Sequence, residues 1–586
     1  MRSGEFTHRY AQMMEILQKQ NPSSWNDISA LLTQFSKKGP EIEKYNRENF
    51  LALVRNGLAF WTFDFGIDGV SIEIAKYAQC LQEILGKKQP AKIHFLAGDF
   101  HPQADNVLKS DWRRHQIERA NGWDKWDQGI WFKKLFYQEM PENSQISQEM
   151  AVEIWNQAVE MVGELGSYLA KHEIALLIPV NVNSNPGNLV TGLSTVLVSE
   201  LMGLYVLNSN HDFYWEGGKP FSERKPGEKA GPRDKFFRNS DNKAFFSFFK
   251  RIYPWNGRRW IQVNINQLQS KRLLADGFPE DRVLEISTMV SEDFFREYTK
   301  EELRSVRSRM ARILSNGNSE IQTILVDSHL AALGTWMKNQ EPLVCSASEG
   351  LSLDLVSDQI HYFLQPTRII DRKRIEKDWE LIAALLQHPP FREDFLSNPE
   401  RQILLHITGP APIEHQADLE SVFNAYQAVL AQEKDSVANR IFLAFSIGTE
   451  YHPSFEGLNY KKLTIEDIYR LATVVVFPSQ TEGRGLPIIE SSAAGIPIIC
   501  SRYQPEEIFA SVVGEDLPPE LQIRYLPFPE NDYSGPVIDE ISRYLLDPTN
   551  REDEIQHNRE ATRNRYSKQV MYSAFNDFLD RLRIMK

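Results

Sequence analysis

Apolar and polar positions along this chain repeat with two different periods, and the way the periods alternate predicts its architecture. A helical period comes first: Tyr10, Met13, Met14 and Leu17 share one face, and Ile28, Leu31, Leu32 and Phe35 share another. Leu58 to Phe63 is the first strand. It runs through Gly66 and Gly69 into a helical pattern of Ile72, Ile74, Ala75 and Leu81, a strand, glycine turn and helix. Lys92 to Ala97 reads as a second strand, whereas the aromatic-rich segment from Trp112 to Tyr137 keeps no alternation and reads as an insertion. A helix over Glu149 to Lys171 leads to Ile174 to Val182, apolar enough for a strand buried on both faces. The turn NSNPGN then opens an apolar helix, Leu189 to Met202. Strands follow at Tyr205 to Leu207, Trp260 to Asn266 and Val283 to Ile286.

Residues 297–358 are charged and helical in pattern (TKEELRSVRSRMARIL) and read as an insertion, serving either as a lid or as an oligomer surface. Regular alternation returns at His361 to Leu364. A helix over Lys373 to Leu386 and strands at Ile403 to Ile407 and Ile441 to Phe445 follow, with a helix over Ala417 to Glu433 between the two strands and another over Ile465 to Leu471. Strand and helix in this rhythm predict a doubly wound parallel sheet with right-handed crossovers. Helices over Val537 to Leu546 and Ala561 to Leu582 close the chain. The expected α/β organisation is a helical extension over 7–55, a first Rossmann-like domain over 56–296, the insertion over 297–358 and a second Rossmann-like domain over 359–560. A C-terminal helix over 561–586 is expected to pack back on the first domain.

Composition narrows the function classes. At 586 residues the chain is too long for one core, and 25% charged with 42% hydrophobic residues describes an ordinary globular protein. A net charge of −13 with no compact Lys/Arg patch argues against nucleic acid as a partner. Cys80, Cys345 and Cys500 are too scattered for a disulfide framework or a zinc site, and they read as small buried hydrophobes. No run approaches the roughly 20 apolar residues of a membrane span. MRSGEFTHRY lacks a signal-peptide core, so a cytoplasmic location is expected, and its first six residues are set aside as a cloning remnant.

The chemistry concentrates in Leu471 to Ser501, LATVVVFPSQTEGRGLPIIESSAAGIPIICS. Val474 to Phe477 is a strand, TEGRGLP a glycine-punctuated loop, Ile488 to Ala494 a helix and Ile496 to Cys500 another strand, a βαβ unit. Glu482 falls in the loop at the strand's carboxyl end, where open α/β sheets place ligands, and Glu490 falls inside the helix. At about 1.5 Å rise per residue the two carboxylates stand on the order of 10 Å apart. Between them the helix start offers amide groups around Gly483 to Leu486 and a positive dipole end, suited to phosphate. A sugar, a diphosphate and a ribose laid end to end match that spacing.

These residues resemble the signature of retaining glycosyltransferases of the GT-B fold, family 4, in which two glutamates separated by seven residues lie within E-G-x-G-L-P. Glu482, Gly483, Gly485, Leu486, Pro487, Glu490, Gly495 and Pro497 are in register, while Arg484 stands where an aromatic is usual. A subset of that family is similar further: a strand ending in H-D-F-Y-W-E, here His211 to Glu216, and a second domain opening Q-P-T-R, here Gln365 to Arg368 with Arg372 and Lys373. Arg374 replaces the usual Gly after that Lys. STMVSEDFF occupies the place of a Pro-Asn-Gly hinge loop and shares none of its residues.

The resemblance implies a GT-B fold, two Rossmann-like domains facing a cleft, the first taking the acceptor and the second the nucleotide-sugar donor. It implies that Glu482 and His211 act at the donor hexose, with Gly483 and Arg484 beside the sugar. Arg368 and Lys373, with Gly485 and Leu486, would hold the diphosphate, and Glu490 the ribose. Asp68 and Gly69 would form the cleft loop. Retaining transfer from UDP-glucose or GDP-mannose to a small hydroxylated acceptor is the implied reaction. Metal and cofactor are not expected, since no His/Asp cluster has ligand spacing. Homo-oligomerisation stays open. A GT-B disaccharide phosphorylase, a sugar-nucleotide epimerase and a non-enzymatic nucleotide-sugar-binding protein remain as alternatives, separable by dependence on phosphate, by donor conversion without acceptor, and by binding without turnover.

Overall fold

Two sheets organise the chain. The computed structural model describes residues 4–41, 43–66, 69–121, 130–228, 230–231, 233–325, 333–450, 452–458, 462–533 and 535–585. By contacts it divides into two units, Met1–Met289 with Gln569–Lys586, and Val290–Lys568.

The first unit is built on seven strands: β1 (Leu58–Phe65), β2 (Ile93–Phe100), β3 (Arg113–Gln116), β4 (Leu176–Pro179), β5 (Tyr205–Asn210), β6 (Trp260–Asn264) and β7 (Val283–Glu285). Their order is β3-β2-β1-β4-β5-β6-β7, every pair parallel. β1 and β4 are buried from end to end or nearly so, as two-face coverage by helices requires. Helices Glu5–Gln18 and Trp25–Lys38 bury Met13 and Leu17, and Ile28, Leu32 and Phe35, in the same core. Ser24 caps the second of these by accepting from the Asp27 amide at 3.2 Å. Helix Lys568–Ile584 adds Met571, Phe575, Phe578, Leu579 and Leu582 to this core.

The second unit holds eight strands: β8 (Ile324–Leu325), β9 (Leu343–Ser346), β10 (Ile360–Gln365), β11 (Gln402–Ile407), β12 (Ile441–Phe445), β13 (Val474–Phe477), β14 (Ile498–Cys500) and β15 (Leu526–Pro527). The order is β15-β14-β13-β10-β11-β12-β9-β8, with one antiparallel pair, β12 and β9. The chain builds one way from β10 through β11 to β12, then crosses back to lay β13 on β10's other side. That reversal leaves a crevice at the carboxyl ends of β10 and β13, the place where open sheets bind ligands. A separate hydrophobic cluster, with Trp379, Phe423, Tyr426 and Phe445, fills this unit.

Four expectations are corrected. Arg113–Gln116 lies inside the segment read as an insertion, yet it forms β3. Its side chains RRHQ are mostly exposed, because an edge strand needs only main-chain pairing and leaves no apolar alternation. The region 297–358, read as helical, contributes helix Lys300–Leu314 but also β8 and β9, too short to show a period. The last helix is two, Glu552–Tyr566 and Lys568–Ile584, broken at Ser567, whose backbone is extended. Of the residues set aside at the N-terminus, Glu5 and Phe6 belong to the first helix, and Phe6 is 3% exposed there. All three cysteines are buried, and none of them forms a disulfide. Among the described residues no helix is long and apolar enough to cross a membrane.

Candidate functional site

β10 and β13 run parallel with Phe363 opposite Val474 and Leu364 opposite Val475, so the loops leaving them emerge side by side. The loop after β10 is the QPTR corner, and it is tightly constructed. Gln365 donates to buried Asp378 at 2.9 Å and accepts from the Thr367 hydroxyl at 2.9 Å. Ile369 donates to the Pro410 carbonyl at 3.0 Å. Gly409 is required at this approach, since a Cβ there would collide with the Thr367 carbonyl. Arg368 is exposed at the corner and Lys373 is buried at the end of a single 3-10 turn, Asp371–Lys373. The helix expected from Lys373 starts at Glu376, because Arg374 between them adopts φ +50°.

Lys373 Nζ forms an ion pair with Glu482, the two side chains 9% and 10% exposed. Arg372 approaches the other carboxylate oxygen at 3.7 Å and donates to the Thr481 carbonyl at 2.5 Å. Burial is the largest influence on the Lys373 amine and lowers its pKa; Glu482 opposes this, while Arg372 and Arg368 add to it. Phe477 lies under Nζ at 5.5 Å. The structure thus gathers Arg368, Arg372, Lys373 and Glu482 at one crevice.

Arg374 stands where the resemblance implies a glycine. Its left-handed backbone is one that glycine adopts freely and that costs another residue about 1 kcal/mol. Its guanidinium offsets this by donating to the Pro478 carbonyl at 2.8 Å, to both Glu530 oxygens at 2.9 and 3.2 Å, and to the Ser501 hydroxyl at 2.9 Å. The side chain therefore clamps the turn of Lys373 to the ends of β13 and β14.

The Glu482 loop is pinned by main-chain bonds: the Glu482 amide donates to the Gln504 carbonyl at 2.9 Å, and the Gln504 amide to the Gln480 carbonyl at 2.7 Å. Gly483 is exposed and open on its Cα, and Arg484 is half-buried. Gly485 caps the helix Leu486–Ala494 with φ +61°, packed on the Tyr503 ring so closely that a Cβ would strike its hydroxyl. Leu486 is the first helical residue. One turn on, Glu490 accepts from the Tyr469 hydroxyl at 2.8 Å. Burial, with Glu490 adding to it, pushes the Tyr469 phenol well above its usual pKa, which keeps it a donor. Tyr469, Tyr503 and the Arg374 clamp were not predicted; each reads in sequence as an ordinary core or surface residue.

His211 belongs to the first unit. It follows β5, is 8% exposed, and its Nε2 lies 3.2 Å from the Ser209 hydroxyl. Asn181, itself at φ +57°, accepts from both the His211 and Asp212 amides at 2.8 and 3.0 Å, which fixes the strand end. Asp212 pairs with Arg233 at 2.9 Å. Glu216 accepts from the Phe213 amide at 2.6 Å and from Gln269 at 3.1 Å, and Gln269 also donates to the His211 carbonyl at 3.3 Å. Gly69 is exposed at the start of helix Gly69–Leu85; Asp68 lies outside the described residues. Among the described residues no group of three or more His, Cys, Asp or Glu gathers as metal ligands do.

Burial raises the Glu216 carboxyl to about 7, above its ordinary value of 4.5. A raised folded-state pKa stabilises fully below the unfolded value, and that stability is lost as pH rises through about 7. The melting temperature of the parent is accordingly expected to fall between pH 5 and pH 8 by more than that of Glu216→Gln. Equal falls in the two proteins would show that Glu216 does not titrate in this range.

Residues 449–514, which carry the Glu482 loop and its helix, match the family model "Glycosyl transferases group 1". The chain is 21% identical over 451 residues to mannosylglucosylglycerate synthase of Petrotoga mobilis, covering 74% of this chain and 80% of that one. Among solved structures it is similar to a glycosyltransferase from Rickettsia africae, with TM-score 0.51 and 13% identity over 90% of this chain and 99% of that one. It is likewise similar to HepE of Anabaena in complex with UDP and glucose, with TM-score 0.50 and 9% identity over 89% and 99%. The chain has the two-domain GT-B fold, and its residues 449–514 are similar to the group 1 glycosyl transferases.

Proposed function

We propose that the protein moves a hexosyl group, with retention, from a nucleotide sugar to a small hydroxylated acceptor, with UDP-glucose or GDP-mannose as the donor. The observation that carries this reading is the Lys373–Glu482 pair at the β10/β13 crevice, one turn of chain from the helix start at Gly485 and Leu486. A cation for phosphate and a carboxylate for sugar hydroxyls are then adjacent, as the two halves of a sugar diphosphate require. Arg368 and Lys373 stabilise the charge growing on the leaving diphosphate, together with the helix dipole. Glu482 and His211 orient the hexose, beside Gly483 and Arg484, and Glu490 receives a ribose hydroxyl in place of Tyr469. The bond from the anomeric carbon to the diphosphate breaks as that to the acceptor oxygen forms on the same face. The acceptor's proton passes to the departing phosphate oxygen. The cations of this chain supply the charge, so the reading assigns no cofactor or metal. The Petrotoga relative is named for mannosylglucosylglycerate and the Anabaena structure holds UDP and glucose, which supports a nucleoside-diphosphate hexose and a small acceptor of the glycerate or sugar type.

A thermal-shift series against UDP, GDP, ADP and their hexose conjugates tests the reading, with phosphate and glucose 1-phosphate as controls. One nucleoside diphosphate is expected to stabilise the protein, by about 2.7 kcal/mol at a hundred times its Kd. Glu490→Ala is expected to abolish that shift. Stabilisation by phosphate or glucose 1-phosphate alone would replace this reading with a phosphorylase, and no shift from any of them would remove the nucleotide-sugar site.

A further inference from the structure

The first unit contains a second place built to hold a small molecule, far in sequence from the donor residues. A cavity of 590 Å³ opens among the loop after β5, the end of helix Lys243–Ile252, the segment that follows it and helix Gln267–Ala275. That volume is within the range of small-molecule sites. Trp215, Trp255, Lys250, Arg251, Arg272 and Asn256 line it. In a chain of net charge −13, three cations line one cavity against the single carboxylate of Asp276, which pairs with Arg272 at 3.1 Å, so a positive excess remains there.

The floor is rigid. Trp255 is 2% exposed and donates to Glu200 at 2.8 Å, and Arg251 lies over its ring at 5.0 Å while donating to the Ser29 carbonyl and the Thr33 hydroxyl at 2.7 and 2.8 Å. The rim is accessible. Trp215 is partly exposed, braced by stacking on Phe213 at 4.1 Å, and Arg272 stands over it at 5.9 Å with its side chain 59% exposed. Lys250, Ser247 and Asn256 are also exposed there. The partly exposed indole of Trp215 suits one stacked ring, the hydroxyl and amide of Ser247 and Asn256 suit sugar hydroxyls, and the exposed side chains of Lys250 and Arg272 suit an anionic substituent.

We propose that this cavity binds an anionic saccharide, a sugar ring carrying a carboxylate or a phosphate. The ring stacks on Trp215, and Lys250 and Arg272 meet the charge. The site is separate from the residues assigned to the donor and stands whether or not the donor reading holds.

Isothermal titration of the full-length protein with glucuronate, glucose 6-phosphate and glucose tests it, the two anions separating the carboxylate and phosphate sources. At least one anion is expected to bind saturably, and glucose at least tenfold more weakly. Lys250→Ala/Arg272→Ala, both changes on exposed side chains, is expected to weaken the anion at least tenfold while leaving the melting temperature of the ligand-free protein close to that of the parent, which reports an intact fold. Trp215→Ala is expected to weaken glucose and the anions alike. The absence of saturable anion binding, equal affinity for glucose, an unchanged affinity in the double variant, or competition between the anion and UDP in both parent and variant would each overturn the proposal.

Discussion

Replacing Lys373 by Ala is expected to lower hexosyl transfer by about a hundred- to a thousandfold, the usual consequence of removing one preorganised group from a developing oxyanion. The same change is expected to destabilise the protein, because it leaves the Glu482 carboxylate, 10% exposed, without the ammonium that faces it. Breaking a buried pair from one side costs about 3–5 kcal/mol. Arg372, already 3.7 Å from that carboxylate and with its side chain 40% exposed, can swing in and reduce this cost, so the lower end of the range applies. Catalysis and stability separate in a pair of variants. Lys373→Met/Glu482→Gln removes both charges, and its melting temperature is expected to return most of the way to that of the parent while transfer stays lost. Melting curves and initial rates on the same preparations decide it. Turnover of Lys373→Ala within a few-fold of the parent would end the assignment of this amine to the diphosphate.

The difference between what the sequence disclosed and what it hid follows from the range of each interaction. Local periodicity exposed β10 to β14 and the apolar helix Leu189–Met202 because each buries most of its length in a two-sided layer, so its apolar run is continuous. β3, β8 and β9 stayed hidden because they lie toward sheet edges and are two to four residues long, too short to show a period. The site divides in the same manner. Glu482, Glu490 and Gly485 were legible from spacing within one βαβ unit, and Lys373 from its neighbourhood to QPTR. The Arg374 clamp was not, since its partners Pro478, Ser501 and Glu530 lie more than a hundred residues away in sequence. Its left-handed backbone was foreshadowed only by the glycine that the resemblance implies there. The hydroxyl of Tyr469 on Glu490 was hidden for a related reason: the tyrosine lies on the preceding helix, Ile465–Leu471, where its ring reads as core.

Gly485→Ala is expected to have the second large effect, through two independent penalties. Its φ of +61° costs an alanine about 1 kcal/mol, and the added methyl meets the hydroxyl of Tyr503. That ring cannot retreat: it is 1% exposed and wedged edge-on between Phe477 at 6.0 Å and Phe509 at 5.1 Å. The backbone must give instead, and the part that gives is the start of helix Leu486–Ala494, where the diphosphate is proposed to sit. Affinity for the stabilising nucleoside diphosphate is therefore expected to fall at least tenfold, and stability by about 2–3 kcal/mol, in the range of overpacked cores. Tyr503→Phe removes the hydroxyl and keeps both ring contacts. The double variant Gly485→Ala/Tyr503→Phe is expected to recover part of the stability but not all, because the backbone conformation remains one that a side chain resists and the added methyl would still lie 3.0 Å from the ring carbon that bore the hydroxyl. Titration calorimetry with the nucleoside diphosphate and melting curves on the three variants measure both quantities. If Gly485→Ala bound that ligand as the parent does, the helix start would not be the phosphate cradle, and the charge of the diphosphate would have to rest on Arg368, Arg372 and Lys373 alone.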